Sequence, residues 1–270
     1  MNSISLAHNI RIDVLNMIHN SHASHIGSAY SVTDILSVLY ADVAKYDINN
    51  PKNDDRDRIV LSKGHAGSAL YAALAEVGFY SKEKLKDYYA NGSFFSGHIS
   101  HKNVPGVEFS TGSLGHGVCV ATGLALRGKI DKKSYHVYAI VGDGECDEGS
   151  LWETVLFAHQ YKLSNYTIII DRNRMQALGF CDEIMDTNIL YDKFKSFGWN
   201  VIEIDGHNHE EIKRALLTHF DNDYPICIIA NTIKGKGVSF MENQLLWHYR
   251  DPQGEYYIKA LEELEKENEK

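Results

Sequence analysis

Two short segments with acidic and amide side chains follow strand-like runs and could together hold a metal ion and a phosphate group. A β-branched run at residues 135–141 leads into Gly-Asp-Gly at 142–144, and a second run at 166–170 leads into Asp-Arg-Asn at 171–173. The residues between them have the pattern of an amphipathic helix, so the runs are expected to be parallel strands joined by a crossover helix.

The carboxyl ends of two such strands open at the same edge of a sheet, where ligands of α/β proteins bind. An acid and an amide thirty residues apart in sequence can therefore converge there. Carboxylate, amide and backbone carbonyl oxygens suit Mg²⁺ or Ca²⁺ held together with substrate phosphates. Gly, Asp and Asn also form ordinary turns, so two plain loops are the alternative interpretation.

The composition is that of a soluble globular protein and argues against several classes of function. The chain has 270 residues, 44% hydrophobic and 23% charged, with a net charge of −9. The acidic balance argues against nucleic-acid binding, which needs clustered Lys and Arg. Four scattered cysteines without a CxxC pair indicate neither a disulfide framework nor a zinc site. The N-terminus does not have the pattern of a secretory signal, and no apolar run approaches the ~20 residues needed to span a bilayer. A cytoplasmic protein that does not bind membranes is expected.

The order of elements predicts a single doubly wound α/β domain over residues 1–270, with a mostly parallel sheet covered by helices on both faces. A loop at 91–117 contains six glycines together with buried-type aromatic residues, and it is expected to be an ordered site loop. The predicted strands lie at 58–61, 135–141, 166–170, 199–204 and 225–230. The predicted helices lie at 5–20, 66–77, 118–127, 188–197, 209–220 and 254–267. A further helix is expected to begin with Ser31 or Thr33 as its N-cap.

Several motifs, taken in order, resemble the transketolase family. The spacing from GDG to the Asn of residue 173 is similar to the thiamine diphosphate-binding signature. The other matching segments are SKGHAGSALYAAL at 62–74, GHISHKNVPGVEFSTGSLGHG at 97–117, GDGECDEGSLWE at 142–153 and KGKGVSFMENQLLWH at 234–248. The likeness covers about residues 5–250 and is strongest to the separately encoded N-terminal subunits of split transketolases. It implies the thiamine diphosphate-binding fold and transfer of a two-carbon glycolaldehyde unit from a ketose to an aldose.

The resemblance assigns the metal and cofactor residues. Asp143, Asn173 and the backbone carbonyl of Met175 would bind Mg²⁺, for which Ca²⁺ or Mn²⁺ could substitute. Glu148 matches a carboxylate that helps to link the two cofactor sites across the family's dimer. The full set implied to bind thiamine diphosphate is His65, Gly112, Ser113, Leu114, Asp143, Gly144, Glu148, Asn173 and His248.

Four of the fourteen histidines fall on family motif positions and are expected to be catalytic: His25, His65, His98 and His248. Imidazole titrates near neutrality, so several converging rings can move protons and hold sugar hydroxyls. The implied reaction needs this, because a hydroxyl proton leaves as the carbon–carbon bond breaks. His98 is expected to face the substrate. With His101 it could instead be half of a zinc site, although no third ligand is evident.

Some residues depart from the family pattern. Ile26 and Ser113 stand where the family usually has Pro, and His116 stands where Gln is common. These changes lie in site loops and put substrate specificity in doubt more than cofactor binding. Lys234 and Lys236 could contact a diphosphate or a phosphorylated substrate, or belong to a solvated loop.

The resemblance also implies a partner. Full-length family members carry a second domain that holds the aminopyrimidine and an activating Glu, and this chain is expected to rely on a separate C-terminal subunit for both, in an α2β2 heterotetramer. A sugar or sugar phosphate is the implied substrate. The alternatives are a 1-deoxyxylulose-5-phosphate synthase-like enzyme, a synthase acting on a nucleotide-linked sugar, and a non-catalytic cofactor-binding subunit.

Overall fold

Five runs of β-branched and apolar residues form the sheet in the computed structural model, which describes residues 1–267. The strands are β1 (Arg58–Leu61), β2 (Val137–Gly142), β3 (Tyr166–Arg172), β4 (Asn200–Asp205) and β5 (Ile226–Asn231). Their order across the sheet is β1-β2-β3-β5-β4, and every neighbouring pair is parallel. The sheet is therefore entirely parallel over the described residues, where the sequence predicted a mostly parallel one.

Helices precede, connect and follow the strands. They are α1 (Ser3–Ser21), α2 (Ile26–Val38), α3 (Gly67–Glu76), α4 (His116–Ile130), α5 (Gly149–Gln160), α6 (Cys181–Ile184), α7 (Leu190–Ser196), α8 (His209–Leu216) and α9 (Glu255–Glu267). A π-helical turn follows α2, and 3-10 turns lie at Gly64–Ala66, Lys82–Asp87, Gly144–Asp147 and Leu245–His248. Within residues 1–267, no helix is long and apolar enough to cross a membrane. The last three residues of the predicted domain 1–270 lie outside the described part.

The central strands β2, β3 and β5 are buried on both faces, which explains why they are nearly continuous apolar runs, whereas the edge strand β4 is more exposed and carries polar residues. Successive side chains of a strand point to opposite faces. Tyr138 and Ile140 of β2 belong to a core shared with α1, α2, α3 and α8, whereas Val137, Ala139 and Val141 belong to a second core shared with α4, α5 and α7. The predicted doubly wound α/β architecture is confirmed.

The second helix begins earlier than the sequence predicted. Ser31 and Thr33 lie inside α2, where the Thr33 hydroxyl donates to the carbonyl of Ala29 and the Ser31 hydroxyl lies 3.1 Å from the carbonyl of Ser28. The helix instead starts after His25, which has a left-handed backbone with φ of 76°. A serine or threonine hydroxyl can bond to a helical carbonyl as well as cap an N-terminus, so its type alone does not locate the start.

The glycine-rich segment before α4 is an ordered loop, as predicted. The backbone N–H of Ile99 donates to the carbonyl of Gly64, and the Thr111 hydroxyl donates to the carbonyl of Leu61 at the end of β1. Phe95, Ile99 and Val104 are buried against α3 and its surroundings. These contacts fix the loop at the carboxyl edge of the sheet.

A matched pair of substitutions tests the position of the core. Ile140, in the sheet, is fully buried, whereas Ile130, at the end of α4, is 65% exposed. We expect Ile140→Ala to lower the free energy of unfolding by about 2–5 kcal/mol, because it removes buried methyl groups and leaves a cavity. Ile130→Ala should change it by less than about 0.5 kcal/mol. Urea denaturation followed by circular dichroism measures both, and equal losses would contradict the assigned core.

Candidate active site

The carboxyl ends of β1, β2 and β3 and the start of α2 surround a cavity of about 230 Å³. The loop before α4 and the segment 234–248 complete its wall. Of the residues predicted from sequence, the cavity is lined by His25, His65, His98, Gly112, Leu114, Asp143, Gly144, Asn173, Met175 and His248. Ser113 and Glu148 lie outside this lining, and both are exposed.

Asp143 is buried at the end of β2. One carboxylate oxygen accepts from the backbone N–H of Gly144 at 2.8 Å and the other from that of Arg174 at 2.5 Å. Burial, together with the nearby Asp171 carboxylate, raises the pKa of Asp143 to about 6. The surrounding groups therefore do not fully balance the negative charge of this carboxylate.

The neighbouring oxygens come from the segment after β3. Asn173 is buried, and its side-chain oxygen accepts from the backbone N–H of Met175 at 3.1 Å. The Met175 carbonyl accepts from the ammonium group of Lys234 at 3.1 Å. The same ammonium lies 2.9 Å from Nδ1 of His248. Lys234 is only 2% exposed, so the solvated-loop interpretation is wrong for this residue.

This donor set fits a hard divalent cation. It brings together one carboxylate, one carboxamide oxygen and one backbone carbonyl, the ligand types that Mg²⁺ and Ca²⁺ prefer. The raised pKa of Asp143 shows an incompletely compensated negative charge at the same place. The described residues contain no cluster of three or more His, Cys, Asp or Glu placed to hold a metal ion, so a thiolate or imidazole metal site is not evident there.

The four predicted histidines converge on one side of the cavity. The His25 ring lies 5.4 Å from that of His65, 5.5 Å from that of His98 and 5.0 Å from that of His248, measured between centroids. His25 is held there by its own backbone, because its N–H donates to the carbonyl of His248 at 2.8 Å. The two segments are 223 residues apart in sequence, so this contact depends on the whole fold.

These imidazoles are neutral at physiological pH. Burial lowers the pKa of His25 to about 4, with His98, Lys234 and Lys63 adding repulsion. Burial and the Lys234 charge lower the pKa of His248 to about 3. The pKa of His65 is also held well below its usual value, and that of His98 is lowered. A neutral imidazole has one nitrogen that accepts a proton and one that donates.

His101 lies apart from this cluster. Its Nδ1 lies 2.7 Å from the Ser110 hydroxyl, and its ring stacks on Phe109. It does not line the cavity with His98.

A buried ion pair supports the floor of the cavity. The ammonium group of Lys63 donates to the Asp171 carboxylate, and both residues are essentially inaccessible to solvent. Asp171 also accepts from the hydroxyls of Ser31 and Thr232. Four segments of the chain, at the ends of β1, β3 and β5 and inside α2, therefore meet at one carboxylate.

Sequence reasoning missed three residues of the site. Lys63 and Glu145 line the cavity and are almost fully buried. Glu145 accepts from the Ser62 hydroxyl and from the backbone N–H groups of Gly115 and Gly142. Both residues stand inside recognised motifs, which was the signal that could have revealed them. Tyr249, with its ring 4.6 Å from that of His248, is 61% exposed at the edge of the cluster and carried no comparable signal.

The three residues that depart from the family pattern lie in different environments. Ile26 is fully buried in the core. Ser113 and His116 are exposed, and His116 Nδ1 contacts the carbonyl of Leu114 at 3.2 Å.

Comparison with known proteins places the chain in a family. The family described as "Transketolase, thiamine diphosphate binding domain" matches residues 3–263. An apulose-4-phosphate transketolase subunit from Phocaeicola vulgatus is 41% identical over 263 residues, covering 94% of this chain and 93% of that protein. The 6-deoxy-6-sulfo-D-fructose transketolase subunit SqwG from Clostridium sp. is 40% identical, covering 96% of this chain and 94% of that protein.

Solved structures give the same result for the fold. Transketolase from Campylobacter jejuni superposes with a TM-score of 0.90 and 31% identity, covering 96% of this chain. This chain spans only 42% of the Campylobacter chain. It is thus similar in length to the two related subunits and shorter than the solved enzyme.

Breaking the buried ion pair should destabilise the protein. We expect Lys63→Met or Asp171→Asn alone to lower the free energy of unfolding by about 3–5 kcal/mol, because each leaves the remaining partner buried and unpaired. The double variant should lose less than the sum of the two. Lys213→Met is the control, since Lys213 forms a more exposed pair with Asp42 and such pairs contribute little. Urea denaturation measures all four proteins, and simple additivity would argue against coupling between Lys63 and Asp171.

Proposed function

We propose that this chain, which belongs to the transketolase family and contains its thiamine diphosphate-binding domain, is the N-terminal subunit of a two-chain transketolase. Its reaction would transfer a two-carbon glycolaldehyde unit from a ketose to an aldose. The observation that carries the proposal is the arrangement within one cavity. Oxygen ligands from Asp143, Asn173 and Met175 line it together with the cluster of four histidines.

The oxygen ligands would hold the diphosphate end of the cofactor. Asp143, Asn173 and the Met175 carbonyl would bind Mg²⁺, and the metal would bind the diphosphate. Gly144 lines the same cavity, and a Cβ there would lie 2.9 Å from Cγ of Gln176. Gly112 and Leu114 line the same cavity. We assign Ser113 to the cofactor through its backbone, and Glu148 to the neighbouring subunit, since its side chain is exposed.

The histidines would handle protons around the reacting carbons. When bound, thiamine diphosphate supplies the carbon nucleophile and the electron sink for breaking the carbon–carbon bond. Neutral His25 and His65 each keep one ring nitrogen that can accept a hydroxyl proton from the donor sugar and return it later. Nδ1 of His248 accepts from the Lys234 ammonium, so its Nε2–H can donate a hydrogen bond to a substrate oxygen. His98, at the far side of His25, would orient the substrate hydroxyls.

A partner chain would complete the site. The cavity of about 230 Å³ is smaller than the ~300–1,000 Å³ typical of ligand pockets, so a second surface would have to enclose the cofactor ring. The segment after Met175 supports this, because its first two residues line the cavity and the residues that follow expose apolar side chains: Leu178, Phe180, Ile184, Met185 and Ile189. We propose that a pyrimidine-domain subunit with the activating Glu covers it, two copies of each chain forming a heterotetramer. The extent of this chain's own domain and its cytoplasmic location stay predictions.

The substrate class is a sugar or sugar phosphate. The two related subunits carry names with different substrates, apulose 4-phosphate and 6-deoxy-6-sulfo-D-fructose, at nearly equal identity to this chain. Neither name therefore transfers to it. These two subunits and the Campylobacter enzyme are all named transketolases, which favours this reaction over a 1-deoxyxylulose-5-phosphate synthase-like one.

Two substitutions separate cofactor binding from turnover. In the complex with a partner chain from a neighbouring reading frame, Asp143→Ala should reduce thiamine diphosphate affinity at least about 100-fold, since it removes the only carboxylate of the proposed metal site. His248→Ala should retain the cofactor and lower kcat by about 100-fold or more, the effect of losing one hydrogen-bond donor to charge that develops in the transition state. Isothermal titration and a coupled ketol-transfer assay measure the two effects.

Asp131→Ala is the control, because Asp131 pairs with Arg127 at the end of α4, away from the cavity lining. A fully active His248→Ala complex would refute the catalytic assignment. Full activity of the isolated chain would refute the partner.

The apolar segment should matter for assembly. Leu178 is 85% exposed, and we expect Leu178→Asp to weaken association with the partner by at least tenfold because it would bury a charge in an apolar interface. Ile130→Asp, on the exposed end of α4, should leave association unchanged. Analytical ultracentrifugation of the mixed chains measures this, and an unaffected Leu178→Asp complex would place the partner elsewhere.

A further inference from the structure

A second polar centre lies outside the cofactor cavity, between α1, α2 and the start of α8. The carboxylate of Asp34 is 4% exposed and accepts from both terminal nitrogens of Arg11, at 3.1 and 2.6 Å. It also lies 2.6 Å from His207 Nδ1 and 3.2 Å from His209 Nε2. Burial alone would raise the pKa of Asp34, but Arg11 and these hydrogen bonds hold it well below its usual value.

The contacts of His207 define its protonation. Nδ1 faces a carboxylate that stays ionised, so this nitrogen donates. Nε2 lies 2.8 Å from the backbone nitrogen of Ile233, and that N–H can only donate, so Nε2 accepts. A ring with one donor and one acceptor nitrogen is neutral imidazole in a fixed tautomer. Asp34 and the Ile233 N–H together set this tautomer, and Arg11 balances the charge of Asp34.

Two partners of Asp34 hold the backbone on both sides of Lys234. His207 accepts from Ile233, the residue before it, and Arg11 Nε donates to the carbonyl of Lys236, two residues after it, at 3.1 Å. Between these contacts the Lys234 ammonium enters the cofactor cavity and reaches Met175 and His248. His207 itself does not line that cavity. The shortest connection from His207 to a side chain in the cavity runs through Ile233 to Lys234, whereas Thr232, on the other side of Ile233, leads to Asp171.

We propose that His207 is a positioning residue for the cofactor site, which it serves by accepting the Ile233 N–H and so fixing Lys234 against the Met175 carbonyl and His248. The inference rests on the proposed function, since it gives Lys234 a place beside the metal and diphosphate. Buried Asp34 orients His207, and Arg11 secures the other end of the segment. Residues from α1, α2 and the β4–α8 loop thus act together on one lysine.

Two near-isosteric variants of His207 separate the roles of its ring nitrogens. His207→Gln places a carboxamide oxygen near the position of Nε2, where it can accept from Ile233. His207→Asn places an amide near the position of Nδ1, where it can donate to Asp34 but leaves the Ile233 N–H without its acceptor. The variants are made in the full chain and assayed in the complex with its partner. Thermal melts check that both fold.

We expect substitution of His207 to change the affinity for thiamine diphosphate and to leave kcat nearly unchanged. His207→Asn should raise the half-saturating thiamine diphosphate concentration by about five- to tenfold, the effect of one lost hydrogen bond, with kcat at saturation within about twofold. His207→Gln should restore affinity to within about twofold of the original. In a Lys234→Met background, His207→Asn should have no further effect on affinity, because the proposed link has already been removed.

Hydrogen exchange of the isolated chain provides a readout that does not depend on the cofactor. The amides of residues 233–236 should exchange faster in His207→Asn and at the original rate in His207→Gln. Equal effects of the two variants on cofactor affinity, or an undiminished effect in the Lys234→Met background, would overturn the inference. Failure of the unsubstituted complex to bind thiamine diphosphate would instead overturn the proposed function, whatever the exchange data show.

Discussion

The arrangement of the site depends on one buried carboxylate, that of Asp171. An ionised carboxylate inside a protein must be paired and hydrogen-bonded. Here Lys63 supplies the charge, and Ser31 and Thr232 supply the remaining donors. Because these three partners come from different segments, satisfying this single group fixes where α2, the end of β1 and the segment after β5 lie relative to β3. Those segments carry His25, His65 and Lys234 into the cavity.

The same burial sets the electrostatic character of the cavity. Lys63 is neutralised by Asp171, but its field and that of Lys234 still lower the pKa values of the surrounding imidazoles. Burial lowers the pKa of Lys234 to about 8 and raises that of Asp143 to about 6. One side of the cavity thus favours a divalent cation and its phosphate ligands. The other side keeps histidines neutral, in the form that can accept a proton.

The features that follow from regular strand and helix geometry could be predicted from the sequence. Two parallel strands joined by a crossover must open on one edge, so Asp143 and Asn173 could be placed together from the sequence alone. The start of α2 could not be predicted, since it depends on a hydrogen bond from His25 to His248, far away in sequence. Lys63, Glu145 and His207 were missed for a related reason. Lys63 and Glu145 stand inside recognised motifs, but the role of each of the three residues depends on its buried partners, and how distant loops pack determines those partners.

Side chains on one side of the cavity are buried, whereas side chains on the other side are exposed. Asp143, Asn173 and Lys234 are buried, and their side chains form hydrogen bonds with the surrounding loops, whereas Leu178 and Tyr249 are 85% and 61% exposed. Apolar side chains beside a polar site are stabilised when a second surface covers them. The buried side of the cavity, which would hold the metal and diphosphate, is formed by this chain alone. Under the proposed function, the partner chain would cover the exposed apolar side, so that assembly would complete the site.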